Sequence, residues 1–244
     1  MKKILIAVLV LFTLVSLMAG CNKPDNTATP NNGDANLTSP SPSADDFTSP
    51  DPSPDDLPSP DPSPTPGTLA YEKGILTATS FESKYLDIRF SLPAGFVMAT
   101  SEEINAMMEL GADVAGINGD ILDYAKLTTV YEMVATSSIG FPNVSLLSEK
   151  LPLSNMTVTQ YFDALKSGLS SVESAAYTFT DGDPVEIAGQ TYDVLRANGT
   201  MLGVTMNQNY LIRTSGNRMI CFIVTYTPDT AEALDTLMNS FSKY

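Results

Sequence analysis

This sequence predicts an α+β domain, an antiparallel β-sheet with amphipathic helices packed on it. Three observations in residues 69–244 predict it. Met219–Val224 reads MICFIV, apolar on both alternating faces, as in a strand covered on both sides. That strand closes a long hairpin around Ser215-Gly216-Asn217, residue types that tolerate positive φ. Two capping boxes, Thr100-Ser-Glu-Glu103 and Thr157-Val-Thr-Gln160, each open a run with apolar residues at helical spacing.

The elements follow in order. Lys84–Leu92 alternates Leu86, Ile88, Phe90 and Leu92 with polar neighbours, the pattern of a half-buried strand. Pro93-Ala-Gly95 turns it, and Phe96–Ala99 continues it. After the first capping box, Ile104, Met107 and Met108 mark the apolar stripe of a helix. Ile121–Leu127 reads as a further helical turn, and Thr129–Thr136 and Asn143–Glu149 as strands. The second box opens a helix whose stripe is Val158, Tyr161, Phe162, Leu165, Leu169 and Val172. Tyr177–Phe179, Val185–Ala188 and Thr191–Ala197 read as strands. Asp181-Gly-Asp-Pro184 reads as a turn between the first two, and Gly189-Gln190 as a tight hairpin between the last two. Asn209–Thr214 and Arg218–Tyr226 form the long hairpin. Pro228 begins a last helix, capped by Thr227 or Asp229, with Ala231, Leu234, Leu237, Met238 and Phe241 as its stripe.

Ahead of the domain stand two segments of different composition. Residues 1–20 start with Lys2 and Lys3, run almost wholly apolar from Ile4 to Met18, and end in the small residues Ala19 and Gly20. This is the layout of a secretory signal, and the apolar run is shorter than the roughly 20 residues that span a bilayer. Met18-Ala19-Gly20-Cys21 resembles the lipobox of bacterial lipoproteins, with Met where Leu is commonest. The resemblance implies that Cys21 carries a diacylglyceryl group and becomes the new N-terminus, with palmitate-type acyl chains anchoring it in the membrane. The other readings are an ordinary signal with an incidental Cys, or an uncleaved anchor. Residues 21–68 then hold 12 of the 17 prolines and a ragged Ser/Asp-Pro repeat, with eight Asp against Lys23 alone. So little apolar surface cannot offset chain ordering, so a disordered, extended spacer is expected.

A second resemblance rests on packing and turn signals across residues 80–244. An early strand ends in Leu92-Pro93-Ala94-Gly95, a helix follows the Asn143–Glu149 strand, hairpins include the Ala188-Gly189-Gln190 turn, and a final helix ends Asn239-Ser240-Phe241. This order resembles the PsbP-like fold, an α/β/α sandwich found in photosystem assembly factors, in a nuclear-transport factor and in many small secreted or lipid-anchored bacterial proteins. The resemblance implies a fold and carries over no functional residue.

Composition excludes more than it assigns. Residues 69–244 hold ten Lys/Arg against 20 Asp/Glu, and the whole chain is −15, which argues against nucleic acid and anionic membranes as partners. With no His, the usual neutral-pH base and imidazole metal ligand are missing. Cys221 is the one Cys after Cys21, so no disulfide joins two domain cysteines, and its apolar neighbours predict a buried side chain rather than a nucleophile. Ser240-Phe-Ser-Lys243 has a Ser-x-x-Lys spacing without its companion motifs. Asp181/Asp183 and Asp120/Asp123 lack a calcium-loop offset, and Gly111, Gly116 and Gly119 lack the ending of a phosphate loop. The nine domain Met read as core filling against a soft binding surface or a copper(I) site. Tyr210, Arg213 and Arg218 read as outer-face strand residues, against a role in orienting an anion.

The functional expectation is therefore a membrane-tethered extracytoplasmic lipoprotein with no catalytic residues, metal or cofactor. It would bind an unidentified extracytoplasmic protein partner or assist assembly. Two alternatives stand beside it: a small-ligand-binding surface lipoprotein, and a carboxylate-based hydrolase of wall polymers, which needs two close acids in a cleft.

Overall fold

The computed structural model describes residues 70–115, 123, 126–151, 155–170, 175–201 and 204–244. The leader, Cys21, the linker, Gly116, Gly119, Asp120 and Val172 lie outside them. Two antiparallel sheets form the frame. The large one runs β4 (Phe96–Met98), β5 (Thr129–Ser137), β6 (Asn143–Lys150), β10 (Arg218–Tyr226), β9 (Val204–Ser215), β8 (Gln190–Met201), β7 (Ala175–Ile187). The small one runs β1 (Ile75–Leu76), β2 (Ser80–Ser83), β3 (Ile88–Ser91), β11 (Phe241–Ser242). The helices are α1 (Ser101–Ala115), α2 (Val158–Ser170) and α3 (Ala231–Met238), the last led by a 3₁₀ turn at Pro228–Thr230.

The middle position of β10 explains its doubly apolar sequence. Met219, Cys221 and Ile223 join one core with Ile104 and Met108 of α1 and Tyr161, Leu165 and Leu169 of α2. Ile220, Phe222 and Val224 join a second core with Phe81, Ile88, Phe90, Leu237 and Phe241. One face of the large sheet is thus covered by α1 and α2, and the other by the small sheet with α3. Both capping boxes form. Thr100 N donates to Glu103 Oε2 at 2.8 Å and Glu103 N to Thr100 Oγ1 at 3.2 Å. Thr157 and Gln160 exchange the same pair at 2.9 and 3.2 Å.

Four local expectations are corrected. Lys84–Leu92 is not one strand: residues 84–87 turn, with Asp87 at φ 56, and β3 returns against an unanticipated β2. The alternation misled because Leu86, Ile88 and Phe90 all enter the same core. Asp181-Gly-Asp-Pro184 is not a turn. β7 runs straight through it, with a bulge between Gly182 and Val185 opposite an uninterrupted β8. A bulge on an edge strand takes the same Gly and Pro that a turn takes, since Pro there has no ladder bond to give. The β7–β8 turn is Ala188-Gly189, at φ 54 and 76, with Ile187 paired to Gln190. Phe241 is not the last residue of a helical stripe. It lies in β11, opposite Phe90, with ring centroids 4.6 Å from Phe90 and 5.0 Å from Phe222.

Candidate functional site: a cleft beside the first helix

A cleft of about 310 Å³ opens between the segment entering β1, helix α1 and the start of β5. Its apolar lining comes from Leu76, Ile104, Met108 and Val130. Its polar lining is Lys73, Ser101, Asn105, Lys126 and Thr129, with Tyr131 completing the wall. The α1 capping box fixes the first turn that presents Ser101 and Asn105. Lys126 pairs with Glu109 at 3.1 Å. Thr129 is only 5% exposed, and its hydroxyl has no hydrogen-bond partner among the described residues. Two large apolar side chains next to lining residues in sequence, Ile75 and Leu127, are 71% and 81% exposed.

Beside the cleft, a buried polar cluster holds the entering segment in place. β5 bulges at Glu132, leaving that residue without a cross-strand partner and fully buried. Tyr71 Oη donates to Glu132 Oε1 at 2.8 Å, and Gly74 N donates to Oε2 at 2.9 Å. The Arg218 guanidinium lies 3.5 Å from the Tyr71 ring centroid and donates to Ser148 O and Oγ at 3.1 and 3.0 Å. Burial raises the Glu132 carboxyl above its ordinary range, opposed by the Gly74 and Tyr71 bonds and by Lys73 and Arg218. Burial and the Glu132 charge raise the Tyr71 phenol. Gly74 is required here: a Cβ would stand 2.3 Å from the Phe81 ring and 2.9 Å from Glu82 O.

A second buried carboxyl lies under α2. Tyr161 Oη donates to Glu149 Oε2 at 2.6 Å. Desolvation pushes Glu149 up to about 7, with the Tyr161 bond opposing. Burial drives the Cys221 thiol well up, so this side chain is protonated core filling as expected. Glu149 is paired across strands with Met219 and shares its face, toward α2, whereas Glu132 reaches Tyr71 and Gly74 at the small-sheet side. These two acids therefore do not form the close pair that glycoside hydrolysis needs.

The remaining sequence candidates disperse. Tyr210, Arg213 and Arg218 are not outer-face residues. Tyr210 is fully buried and donates to Gln208 Oε1 at 3.0 Å. Arg213 donates to Tyr192 Oη at 3.1 Å and Leu86 O at 3.2 Å, and Arg218 is 8% exposed. Both arginines bond inward to backbone and side chains of the fold. Ser240 donates to Thr236 O, and Lys243 pairs with Asp87 at 3.5 Å, so the Ser-x-x-Lys spacing builds nothing together. Asp181 pairs with Lys166 at 3.2 Å on the surface. Gly111 lies inside α1. Buried Met divide between the two cores, Met108, Met206 and Met219 in one and Met133 in the other. No cluster of three metal-ligating side chains occurs among the described residues. No described helix is long and apolar enough to cross a membrane.

Sequence reasoning missed the cleft, Glu132 and Glu149. The one available signal was an acid inside each apolar strand, Glu132 in VYEMV and Glu149 at the end of NVSLLSE.

No family model matches the chain, and no curated protein matches it. Among solved structures, the chain is similar to a cyanobacterial PsbP (CyanoP) from Synechocystis, with 15% identity, 74% of this chain and 100% of that chain covered, and a TM-score of 0.43. It is also similar to LpqN of Mycobacterium tuberculosis, described as involved in cell envelope biogenesis, with 9% identity, 64% and 82% covered, and a TM-score of 0.36. A Bacteroides thetaiotaomicron structure shares 12% identity, covering 69% of this chain and 49% of that one, at a TM-score of 0.35. No site residue or activity is carried over from any of the three.

Proposed function

We propose that this chain is a lipoprotein anchored through Cys21 at the extracytoplasmic face of the cell membrane. Its folded domain binds a target without transforming it, and the cleft beside α1 is the binding site. One observation carries the choice of binding over catalysis. Among the described residues, the two acids whose ionisation is shifted, Glu132 and Glu149, are absent from the cleft lining. Catalytic sites concentrate such groups where substrate sits. Here they are spent on holding the fold, and the cleft offers apolar surface with a few polar groups, the make-up of a ligand pocket.

Two measurements test this reading. A Cys21→Ser change should move the protein from the membrane fraction to the soluble fraction, and retention in the membrane would overturn the anchor. Native mass spectrometry of the full-length protein released from its membrane should find a small molecule bound. That molecule should be lost in Asn105→Trp, where an exposed residue is enlarged into the cleft at little expense to the fold. Chemical conversion of that molecule by the wild-type protein would overturn the non-catalytic reading.

The exposed Ile75 and Leu127 support a second reading, in which the cleft rim meets an extracytoplasmic protein partner. Crosslinking in the intact envelope separates the two. Adducts at Leu127 with one protein, recovered repeatedly and lost in Leu127→Asp, favour the partner.

A further inference from the structure

The charges around the cleft go further than its shape. We propose that it binds a small amphipathic monoanion, an apolar body with a single carboxylate head, which rests on the small-ligand reading above. Residues 69–244 carry twice as many acids as bases, yet two lysines line this one cleft. Lys126 is balanced by Glu109 at 3.1 Å. Lys73 forms no ion pair among the described residues, and the nearby Glu132 has its two oxygens bonded to Tyr71 and Gly74 with Arg218 beside it. Of the two acids in the first turn of α1, Glu103 is bound to the Thr100 backbone and Glu102 is exposed to solvent. Lys73 is thus the one lining cation without an ion pair among the described residues. A single such cation matches a carboxylate better than a phosphate monoester, which carries about −1.5 to −2.

The apolar lining is the second observation. Leu76, Ile104, Met108 and Val130 receive the apolar body. A cleft of about 310 Å³ sits at the low end of the roughly 300–1,000 Å³ usual for ligand sites, which limits that body to one ring or a short acyl chain.

The test titrates full-length protein in lipid nanodiscs, labelled with carbon-13 on the methionine methyls, with phenylbutyrate, phenylbutanol and phenylbutylamine. The Met108 resonance, assigned by Met108→Leu, reports the cleft, and Met219 reports the core. Phenylbutyrate should shift Met108 saturably and bind at least about tenfold tighter than the alcohol, with the amine weakest. Lys73→Gln should abolish the preference for the acid and leave the alcohol's affinity unchanged. Lys73→Gln should also leave the melting temperature unchanged, since Lys73 is exposed, which excludes misfolding as the cause. Equal affinity of acid and alcohol for the wild type, a preference that survives Lys73→Gln, or no shift of Met108 by any probe would overturn the proposal. A co-isolated molecule lost in Asn105→Trp would leave the broader binding reading standing in each of those cases.

Discussion

At the scale of single residues, two buried glutamates have their carboxyls raised above the ordinary range, and one gives a pH dependence with a definite sign. Glu149 titrates near 7 in the folded domain because burial penalises its charged form, with Tyr161 only partly compensating. In an unfolded chain the same group titrates near 4.3. The folded state therefore holds its proton more tightly. The resulting stabilisation is complete below the unfolded value and is lost as pH rises through about 7. Glu149→Gln keeps an acceptor for the Tyr161 hydroxyl and removes the charge. Urea unfolding of the variant should show about 1–3 kcal/mol more stability than wild type at pH 8, shrinking toward zero near pH 4. A constant difference across that range would mean that Glu149 is solvated in the fold. Glu132 shares the direction of shift, but its oxygens accept two defined hydrogen bonds, so its substitution disturbs Tyr71 and Gly74 as well as charge.

At the scale of elements, the β7–β8 hairpin contains a residue poorly matched to its backbone. Ala188 and Gly189 both have positive φ, the geometry of a two-residue turn in which Asn-Gly is preferred. Ala holds the left-handed region at about 1–2 kcal/mol, while Asn enters it more readily. Ala188→Asn should raise the melting temperature by about 2–4 °C, the shift that roughly 1 kcal/mol produces in a domain of this size. No change, or a fall, would mean that the partial packing of Ala188 on the core outweighs its dihedral strain. The elements that sequence made legible are those whose signal is local. Capping boxes name their own helix start, and MICFIV declares two buried faces because β10 has a neighbour layer on each side. The misread elements depend on distant partners. β2 is defined by its pairing with β1 and β3, and the Gly182–Pro184 bulge by the unbroken β8 beside it. The cleft was hidden for the same reason. Lys73, Asn105, Lys126 and Thr129 come together through packing, and no spacing in the chain brings them into one motif.

At the scale of the whole molecule, the governing quantity is charge. The chain is −15, with 28 acids against 13 bases and no His to soften the imbalance near neutral pH. Four ion pairs are formed among the described residues: Arg89–Glu82, Lys126–Glu109, Lys166–Asp181 and Lys243–Asp87. All involve partly or largely exposed side chains, where a pair contributes about 0–1 kcal/mol and weakens further in salt. Against these stands the mutual repulsion of the excess acids, which favours expansion of the chain. Added salt screens both, and the two readings of the electrostatics predict opposite signs. If the ion pairs dominate, salt destabilises. If repulsion dominates, as the two-to-one excess of acids in residues 69–244 requires, salt stabilises. Raising sodium chloride from about 10 to 150 mM shortens the Debye length from roughly 30 to 8 Å, enough to suppress repulsion between acids that do not touch while leaving contacts at 3–4 Å largely intact. The urea midpoint of the full-length protein at pH 7 should therefore rise over that interval and then level off. A falling midpoint would show that the few pairs, Lys126–Glu109 at the cleft among them, outweigh the field of the whole chain.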